Sequence, residues 1–222
     1  GANIIEMNKI RQHLSDVKGG GLAQILYPAS VASLIYSDVP GNDITYIASG
    51  PTVKDHTSID DAMSLVNKFN IPNVSREFFI DNPRDDKYFE KVKNFVVLSN
   101  ITALEAMKTK AESFGIGVKI LSDKFQGEAK DAALELLREA DAKGLLLAGG
   151  ETTVTAKGSG KGGRNQEATL AALIDLPENT IYCSVGSDGW DNSENAGALA
   201  DSETKRKVAE QNINPQEYLD NN

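Results

Sequence analysis

The sequence predicts an α/β fold with mainly parallel sheets and flanking helices, arranged as two lobes facing a cleft, the second lobe being Rossmann-like. Apolar runs of strand length alternate with segments whose apolar residues recur at helical spacing. Helices of about ten or more residues separate successive strands, as in βαβ units with a parallel sheet. Polar clusters follow several strands, where α/β folds build their sites, and these clusters converge only if the two lobes face each other.

The first part of the chain reads as helix, strand and helix. Residues Ile4–Val17 carry apolar side chains on one helical face, and the glycines of Lys18–Gly21 end that helix. An apolar run of strand length covers Val31–Asp38, and Thr57–Asn70 reads as a capped helix. Residues 71–88 hold two prolines and many charges, so this segment is the candidate connector between the lobes.

The second part alternates strands and helices. In chain order the prediction is strand 94–100, helix 101–115, strand 117–123, helix 127–142, strand 144–151, helix 164–176, strand 180–189 and helix 202–211. No closing element is predicted after residue 211.

The charge of the chain limits its ligand classes. A net charge of −9 over 222 residues repels nucleic acid and anionic membranes, and no apolar run approaches the ~20 residues of a membrane span. We therefore expect a cytoplasmic protein with small-molecule ligands and without nucleic-acid or membrane partners; a homodimer is compatible with these patterns. An anionic ligand would have to be held by local cations and backbone N–H groups.

Cysteine and histidine usage argues against a metal site built on these residues. The single cysteine, Cys183, lies in an apolar run and is expected to be a small core residue in a reducing compartment. His13 and His56 lie far apart in the sequence, so a histidine-based metal site is not expected.

The stretch from Ala148 to Glu167 is a candidate anion-binding segment. It holds six glycines, which let backbone N–H groups approach a ligand, together with lysines and Arg164. A cation at the start of a helix is unfavourable to the helix dipole unless an anion joins it. Neither a Walker A pattern nor a dinucleotide fingerprint is present, and a solvated hairpin tip remains the alternative. Glu151 is either a Mg²⁺ ligand beside this segment or a surface acid.

A second polar cluster, Tyr36–Thr52, follows the first strand. The cluster contains the carboxylate of Asp38, several hydroxyl groups and a glycine next to a proline. The alternative is an Asx-turn followed by a proline turn, and we favour a ligand site.

A third cluster, Gly186–Ala198, follows the last predicted strand. Its acids Asp188, Asp191 and Glu194 recur every three residues, but the calcium-loop pattern is incomplete, which favours a structural turn. Trp190 is expected in the core.

These clusters carry a family resemblance. The segments "MNKIRQHLSDVKGGGLA", "SDVPGNDITYIASGPTVKD", "VVLSNITALEA", "LLAGGETTVTAKGSGKGGRNQE" and "GSDGWDNSENAGA" resemble the glycerate 2-kinase family of the MOFRL-domain type, sometimes called hydroxypyruvate reductase. The resemblance implies ATP-dependent phosphorylation of D-glycerate to 2-phosphoglycerate, with Mg²⁺, in serine and glycerate metabolism. It also implies that residues 1–72 are the C-terminal portion of the kinase N-terminal domain and that 73–222 are a MOFRL-like second domain, C-terminally incomplete.

The resemblance implies catalytic roles for Arg164, Glu151 and Asp38, and metal binding by the last two. The remaining implied ligand-binding residues are Ser37, Ser49, Gly50, Thr52, Gly149, Gly150, Lys161, Gly163, Asn165 and Asp188.

Two features depart from the family pattern. Family members usually carry arginine after the K-G-G turn, where this chain has Gly21, and aspartate where it has Glu194. The chain also resembles a fragment lacking both ends of the family pattern, so we expect little or no kinase activity from it alone. An NAD(P)H-dependent hydroxypyruvate reductase and a non-catalytic nucleotide-binding module remain alternatives.

Overall fold

The computed structural model describes residues 1–39, 41–141 and 143–221. Helices and strands alternate in the α/β manner that the sequence predicts. The helices are α1 (Ile4–His13), α2 (Gly21–Leu26), α3 (Ile59–Lys68), α4 (Asn100–Glu112), α5 (Ala129–Glu139), α6 (Arg164–Asp175), α7 (Ser202–Glu210) and α8 (Pro215–Asp220). The strands are β1 (Val31–Tyr36), β2 (Val92–Leu98), β3 (Val118–Phe125), β4 (Leu145–Gly150), β5 (Tyr182–Val185) and β6 (Gly197–Ala200).

The chain divides into two compact units, Gly1–Ser99 and Asn100–Asn222. In the first unit, β1 and β2 pair in parallel, with Leu34 opposite Phe95. Helices α1 and α3 and the segment after α3 contribute to a small core, formed by the buried residues Ala62, Val66 and Phe79 and by the partly buried Ile10, Ile59, Met63 and Val74.

Helices α1 and α3 of the first unit begin with reciprocal caps. The Asn3 side chain accepts from the backbone N–H of Glu6, while the Glu6 carboxylate accepts from the Asn3 N–H. Ser58 and Asp61 form the same arrangement at α3. These capping boxes satisfy N-terminal donors with local residues, which explains why both helices begin close to their predicted starts.

In the second unit, β3 and β4 form a parallel pair, and α5 connects them along the chain. Strands β5 and β6 form an antiparallel pair. The core lies mainly between α5 and α6, where small side chains let the helices approach closely. Its buried members are Ala129, Ala133, Ala168, Ala171, Ala172, Leu173, Leu176, Tyr182 and Ala200. Burial raises the pKa of Tyr182 to about 12.

Some elements differ from the prediction. Helix α1 ends at His13 rather than at Val17, and three short elements, α2, β6 and α8, were not predicted. Beyond the predicted helix 202–211, Asn214 Oδ1 accepts from the Gln216 N–H at the start of α8, where no element was predicted. Ala142, the last residue of the predicted helix 127–142, lies outside the described residues.

Two expected core residues are exposed. Alternate side chains of β5 face opposite sides, so Tyr182 is buried whereas Cys183 is exposed. Trp190 is 59% exposed because it lies in a turn whose N–H donates to Asp188 Oδ1. The predictions of a buried Cys183 and a core Trp190 were wrong.

The proline-rich segment 71–88 packs within the first unit rather than joining the two. Its residue Phe79 belongs to the core, and the Ile80 N–H donates to the His13 carbonyl oxygen at 2.8 Å. The domain boundary after residue 72, drawn from family resemblance, stays a prediction. No helix among the described residues is both long and apolar enough to cross a membrane.

Candidate functional site

The glycine-rich stretch after β4 brings Arg164 to Glu151. The Glu151 N–H donates to the Phe125 carbonyl oxygen at 2.9 Å, which holds this residue at the end of the β3–β4 ladder. Arg164, the first residue of α6, donates from Nη1 to Glu151 Oε1 at 2.8 Å. The two side chains are 44% and 51% exposed. A ligand can therefore reach this ion pair from solvent.

Residues 151–155 run beside residues 125–129, between Gly150 and Gly158. Thr153 donates its N–H to Gly127 O and accepts the N–H of Ala129 at its own carbonyl, both at 2.8 Å. This contact is a single bridge rather than the half-exposed strand suggested by the alternating sequence. The Thr155 hydroxyl and N–H donate to the carboxylate of Glu128 and lower its pKa.

A carboxylate from the loop after β5 caps the N-terminus of α6. Gly163, the N-cap residue, has no side chain to accept from the first helical N–H groups. Asp191 Oδ1 accepts from the N–H and Nδ2 of Asn165 at 3.1 and 3.0 Å. Its Oδ2 accepts from the N–H and Nε2 of Gln166 at 2.8 and 3.1 Å. The N–H groups of Asn165 and Gln166 at this helix end are therefore engaged by the protein itself.

The remaining predicted ligands of the second unit differ in how available they are. Lys161 is exposed, whereas Asn165 also accepts from the Ser184 hydroxyl at 2.7 Å, so its side chain is fully engaged. A side chain at Gly150 would place its Cβ 2.0 Å from the Phe125 carbonyl oxygen, which explains the glycine by close packing of backbone. At Gly149 a Cβ would make tighter than ordinary contact with Leu104.

The third cluster forms a structural turn. Asp188 accepts from the Trp190 N–H, Asp191 caps α6, and the Asn192 side chain donates to Gly162 O at 3.0 Å. Within 1–39, 41–141 and 143–221, no group of three or more His, Cys, Asp or Glu side chains could hold a metal ion.

In the first unit, Ser37 and Asp38 follow β1. Ser37 is buried, and its N–H donates to Leu98 O at 2.8 Å, which continues the pairing with β2. Asp38 is exposed directly after it.

The turn 48–50 is held in an unusual backbone conformation. Ala48, Ser49 and Gly50 all have positive φ, at 50°, 62° and 62°. Non-glycine residues adopt this region at a cost of roughly 1–2 kcal/mol each. The carbonyls of Ser49 and Gly50 accept the N–H groups of Gly19 and Gly20 at 3.0 and 2.9 Å, which locks the turn to the K-G-G loop.

The hydroxyl groups predicted as ligands in this region are engaged inside the unit. Ser49 donates to Asn8 Oδ1 at 2.9 Å, and Thr52 donates to Asn94 Oδ1 at 2.6 Å. Both residues are buried. Among the predicted ligands of this cluster, Asp38 is the exposed charged group.

Proteins named as glycerate kinases match the whole chain. Family models match residues 1–78, as a domain of unknown function (DUF4147), and residues 144–222, as the MOFRL family. D-glycerate 2-kinase from Thermotoga maritima is 34% identical, over 100% of this chain and 56% of that protein. Glycerate kinase from Macaca fascicularis is 32% identical, over 100% of this chain and 71% of that protein. The chain belongs to the glycerate 2-kinase family.

The fold agrees with membership of the glycerate 2-kinase family. The crystal structure of glycerate kinase from Thermotoga maritima matches with a TM-score of 0.84 at 32% identity, over 100% of this chain and 57% of that one. The resemblance drawn from the motifs and the α/β class are both confirmed. The chain spans a little over half the length of the Thermotoga enzyme.

The two matched regions of this family member contain the three polar clusters. Asp38 and the strained turn lie in the region matched by the first model, while Arg164, Glu151 and the third cluster lie in the MOFRL region. The roles of these residues, and their convergence across a cleft, stay predictions.

Sequence reasoning missed the role of Asp191, which it treated as one member of an acidic repeat. The signal was the glycine at the N-cap of a helix, because a helix without a capping side chain of its own needs an acceptor from elsewhere. It also missed the buried His13, which lies within hydrogen-bond distance of Ile80 O and of the Thr57 hydroxyl. Nothing local in the sequence indicates those two partners.

Proposed function

We propose that this chain carries the nucleotide- and phosphoryl-binding part of an ATP-dependent D-glycerate 2-kinase, which transfers the γ-phosphoryl group of ATP to the 2-hydroxyl of D-glycerate. The observation that carries this proposal is the exposed pair of Arg164 and Glu151 beside the glycine-rich stretch. The 34% identity to an enzyme named D-glycerate 2-kinase supports it.

Phosphoryl transfer requires chiefly positioning and positive charge on the moving group. In this proposal, the Arg164 guanidinium exchanges its contact with Glu151 for phosphate oxygens, which it can bind in a bidentate manner. Lys161, exposed three residues earlier, adds a second cation. The glycines between the strand and the helix leave room for a phosphate chain to approach the backbone.

Magnesium is part of the proposal. Because no cluster of three metal-binding side chains occurs in the described part of the chain, an all-protein cage is not offered. Mg²⁺ is commonly held by one or two carboxylates together with the substrate phosphates, and the exposed carboxylates of Glu151 and Asp38 are each proposed as such a ligand. When bound, the ion neutralises charge on the β- and γ-phosphates.

Asp38 is proposed to orient the attacking hydroxyl of glycerate. Ser49 and Thr52 would have to leave their asparagine acceptors to bind a ligand, so their main contribution is to hold the loop beside Asp38. The neighbouring Ser37 and Gly50 are proposed to shape the same subsite.

The test is product formation by the purified chain. The chain is incubated with Mg²⁺, ATP and D-glycerate, ADP is measured, and the product is offered to enolase, which accepts 2-phosphoglycerate directly and not 3-phosphoglycerate. Arg164→Gln is expected to weaken ATP binding by tenfold or more (about 1.4 kcal/mol), and to abolish whatever ATP consumption the chain shows on its own. Lys143→Gln, a loss of the same charge at the opposite end of β4, is the matched control.

The outcomes separate the alternatives. Arg164-dependent formation of 2-phosphoglycerate supports the kinase. Arg164-dependent binding of ATP without turnover supports a nucleotide-binding module that needs further polypeptide. Oxidation of NADH with hydroxypyruvate would instead support the reductase, and absence of both ATP binding and turnover would contradict the proposal.

The acidic charge and single thiol are the basis for also proposing a cytoplasmic location, which cell fractionation tests.

A further inference from the structure

We propose that Asp191 is a positioning residue that occupies the anion position at the N-terminus of α6, so that the Arg164 side chain, rather than the helix backbone, receives a ligand phosphate. The part that concerns Arg164 rests on the proposed function. The part that concerns Asp191 rests on the contacts of the loop after β5 alone.

The first argument is the chemistry around the carboxylate. Asp191 is only 4% exposed, and its two oxygens accept four N–H donors from Asn165 and Gln166. Two of these donors are backbone groups at the positive end of the helix dipole. The same donors would bind a phosphate or sulfate at a helix N-terminus. The protein therefore supplies its own anion to this position.

The second argument is steric. A Cβ at Gly163 would lie 2.5 Å from both the carbonyl oxygen and Oδ1 of Asp191, so only glycine permits this approach. The Gln166 Nε2 also donates to the Asp191 carbonyl oxygen at 3.1 Å, and Asn192 donates to Gly162 O. The loop is thereby attached to the residues on both sides of Arg164.

The third argument concerns which groups remain available to a ligand phosphate. A phosphate at the helix end would have to displace a buried carboxylate that already has four hydrogen bonds. The guanidinium of Arg164 leaves the same turn and pairs with a half-exposed acid. A ligand phosphate therefore meets the side chain of Arg164, whose direction depends on the turn that Asp191 holds.

The first experiment is rescue by a small carboxylate. Asp191→Ala is expected to lower the thermal midpoint by about 5 °C or more, because four donors lose their acceptor. Formate, which fits the space left by the carboxylate, is expected to raise that midpoint by roughly 3 to 6 °C at ten times its Kd. Asp191→Asn is expected to be destabilised without rescue, because its amide group fills the space. Glu194→Gln, which removes an exposed charge from the same loop, is expected to leave the thermal midpoint and its response to formate unchanged.

The second experiment uses the unsubstituted chain and stays informative if the variants fail to fold. Inorganic phosphate is added while the backbone amide signals of Asn165 and Gln166 and the Nε signal of Arg164 are followed by NMR. We expect the Arg164 signal to move and the two amide signals to stay. Movement of the amide signals with phosphate would show that the helix end is an open anion site and would overturn the proposal.

The readouts separate this inference from the proposed function. If formate rescues Asp191→Ala but Arg164 does not respond to phosphate, the positioning role stands and the kinase assignment fails. If Asp191→Ala behaves like Glu194→Gln, or if formate fails to rescue a folded Asp191→Ala, the positioning role is overturned. Where the chain turns over D-glycerate, formate is further expected to restore kcat of Asp191→Ala and not of Asp191→Asn.

Discussion

The guanidinium of Arg164 donates from Nη1 to Oε1 of Glu151 at 2.8 Å, and both side chains are about half exposed. Ion pairs of this exposure contribute less than about 1 kcal/mol to stability, because solvent screens them. The pair therefore keeps a cation near the glycine-rich stretch, and the stability of the fold depends little on it.

Replacing Glu151 by glutamine removes the acid that competes with phosphate for Arg164. We expect Glu151→Gln to tighten the binding of inorganic phosphate by up to about fivefold, the equivalent of an exposed ion pair. Isothermal titration calorimetry measures the change. Glu139→Gln is the control, since Glu139 also belongs to a half-exposed pair, with Lys119; equal effects of the two substitutions would disprove the competition.

His13 is a second test case, because its side chain is completely buried in the first unit. Its Nδ1 donates to Ile80 O at 2.9 Å, and its Nε2 lies 3.1 Å from Thr57 Oγ1 and 3.4 Å from Asp55 Oδ2. His13→Ala is expected to lower the free energy of unfolding by about 2–4 kcal/mol, through a cavity and unpaired polar groups. Urea denaturation checks this, and the exposed His56→Ala should stay within about 0.5 kcal/mol of the parent.

Gly21 follows the K-G-G turn and is the first residue of α2. A Cβ at this position would lie 2.0 Å from the Asp16 carbonyl oxygen, so the turn before α2 must shift to accept any side chain. We expect Gly21→Ala to cost about 1–3 kcal/mol in chemical denaturation, as overpacking does. Gly117→Ala is the control because nothing lies within 4 Å of its Cβ; a neutral Gly21→Ala would show that the turn accommodates side chains freely.

The pKa of Glu128 provides a test in acid. The hydroxyl and N–H of Thr155 donate to this carboxylate and hold its pKa below the ordinary value of 4.5. The contact therefore stabilises the fold above pH 4.5, and its contribution is lost as the pH falls through the lowered pKa. Carboxyl ¹³C NMR should give a midpoint below 4.5 that rises in Thr155→Val. Thr153→Val should leave the midpoint unchanged, since the Thr153 hydroxyl donates to Gly127 O instead.

Elements governed by local chemistry could be predicted from the sequence. Helix α3 was predicted at 57–70 and spans Ile59–Lys68, because its cap and first-turn acids lie within a few residues of each other. Helix α6 starts at the predicted Arg164. Strand β6 was missed because its four residues, Gly197–Ala200, have no periodic pattern and form a strand only through pairing with β5.

Contacts between distant residues limited the prediction of the site. The sequence indicated that Ser49 and Thr52 offer hydroxyls to a ligand, but these hydroxyls donate to Asn8 and Asn94, which lie 41 and 42 residues away. The capping role of Asp191 depends on a helix that starts 27 residues earlier. Residue types and strand ends identify candidates, and only the folded chain shows which of them are already engaged.

Strands β1 and β2 pair only with each other among the described residues, and Leu34 and Tyr36 on β1 are 64% and 70% exposed. Each outer side of this ladder offers backbone hydrogen-bonding groups to any further strand. Molecules of the purified chain can satisfy those groups by joining edge to edge, a process that grows with concentration. Sedimentation should therefore vary with dilution, and binding constants are comparable only between samples at matched protein concentration.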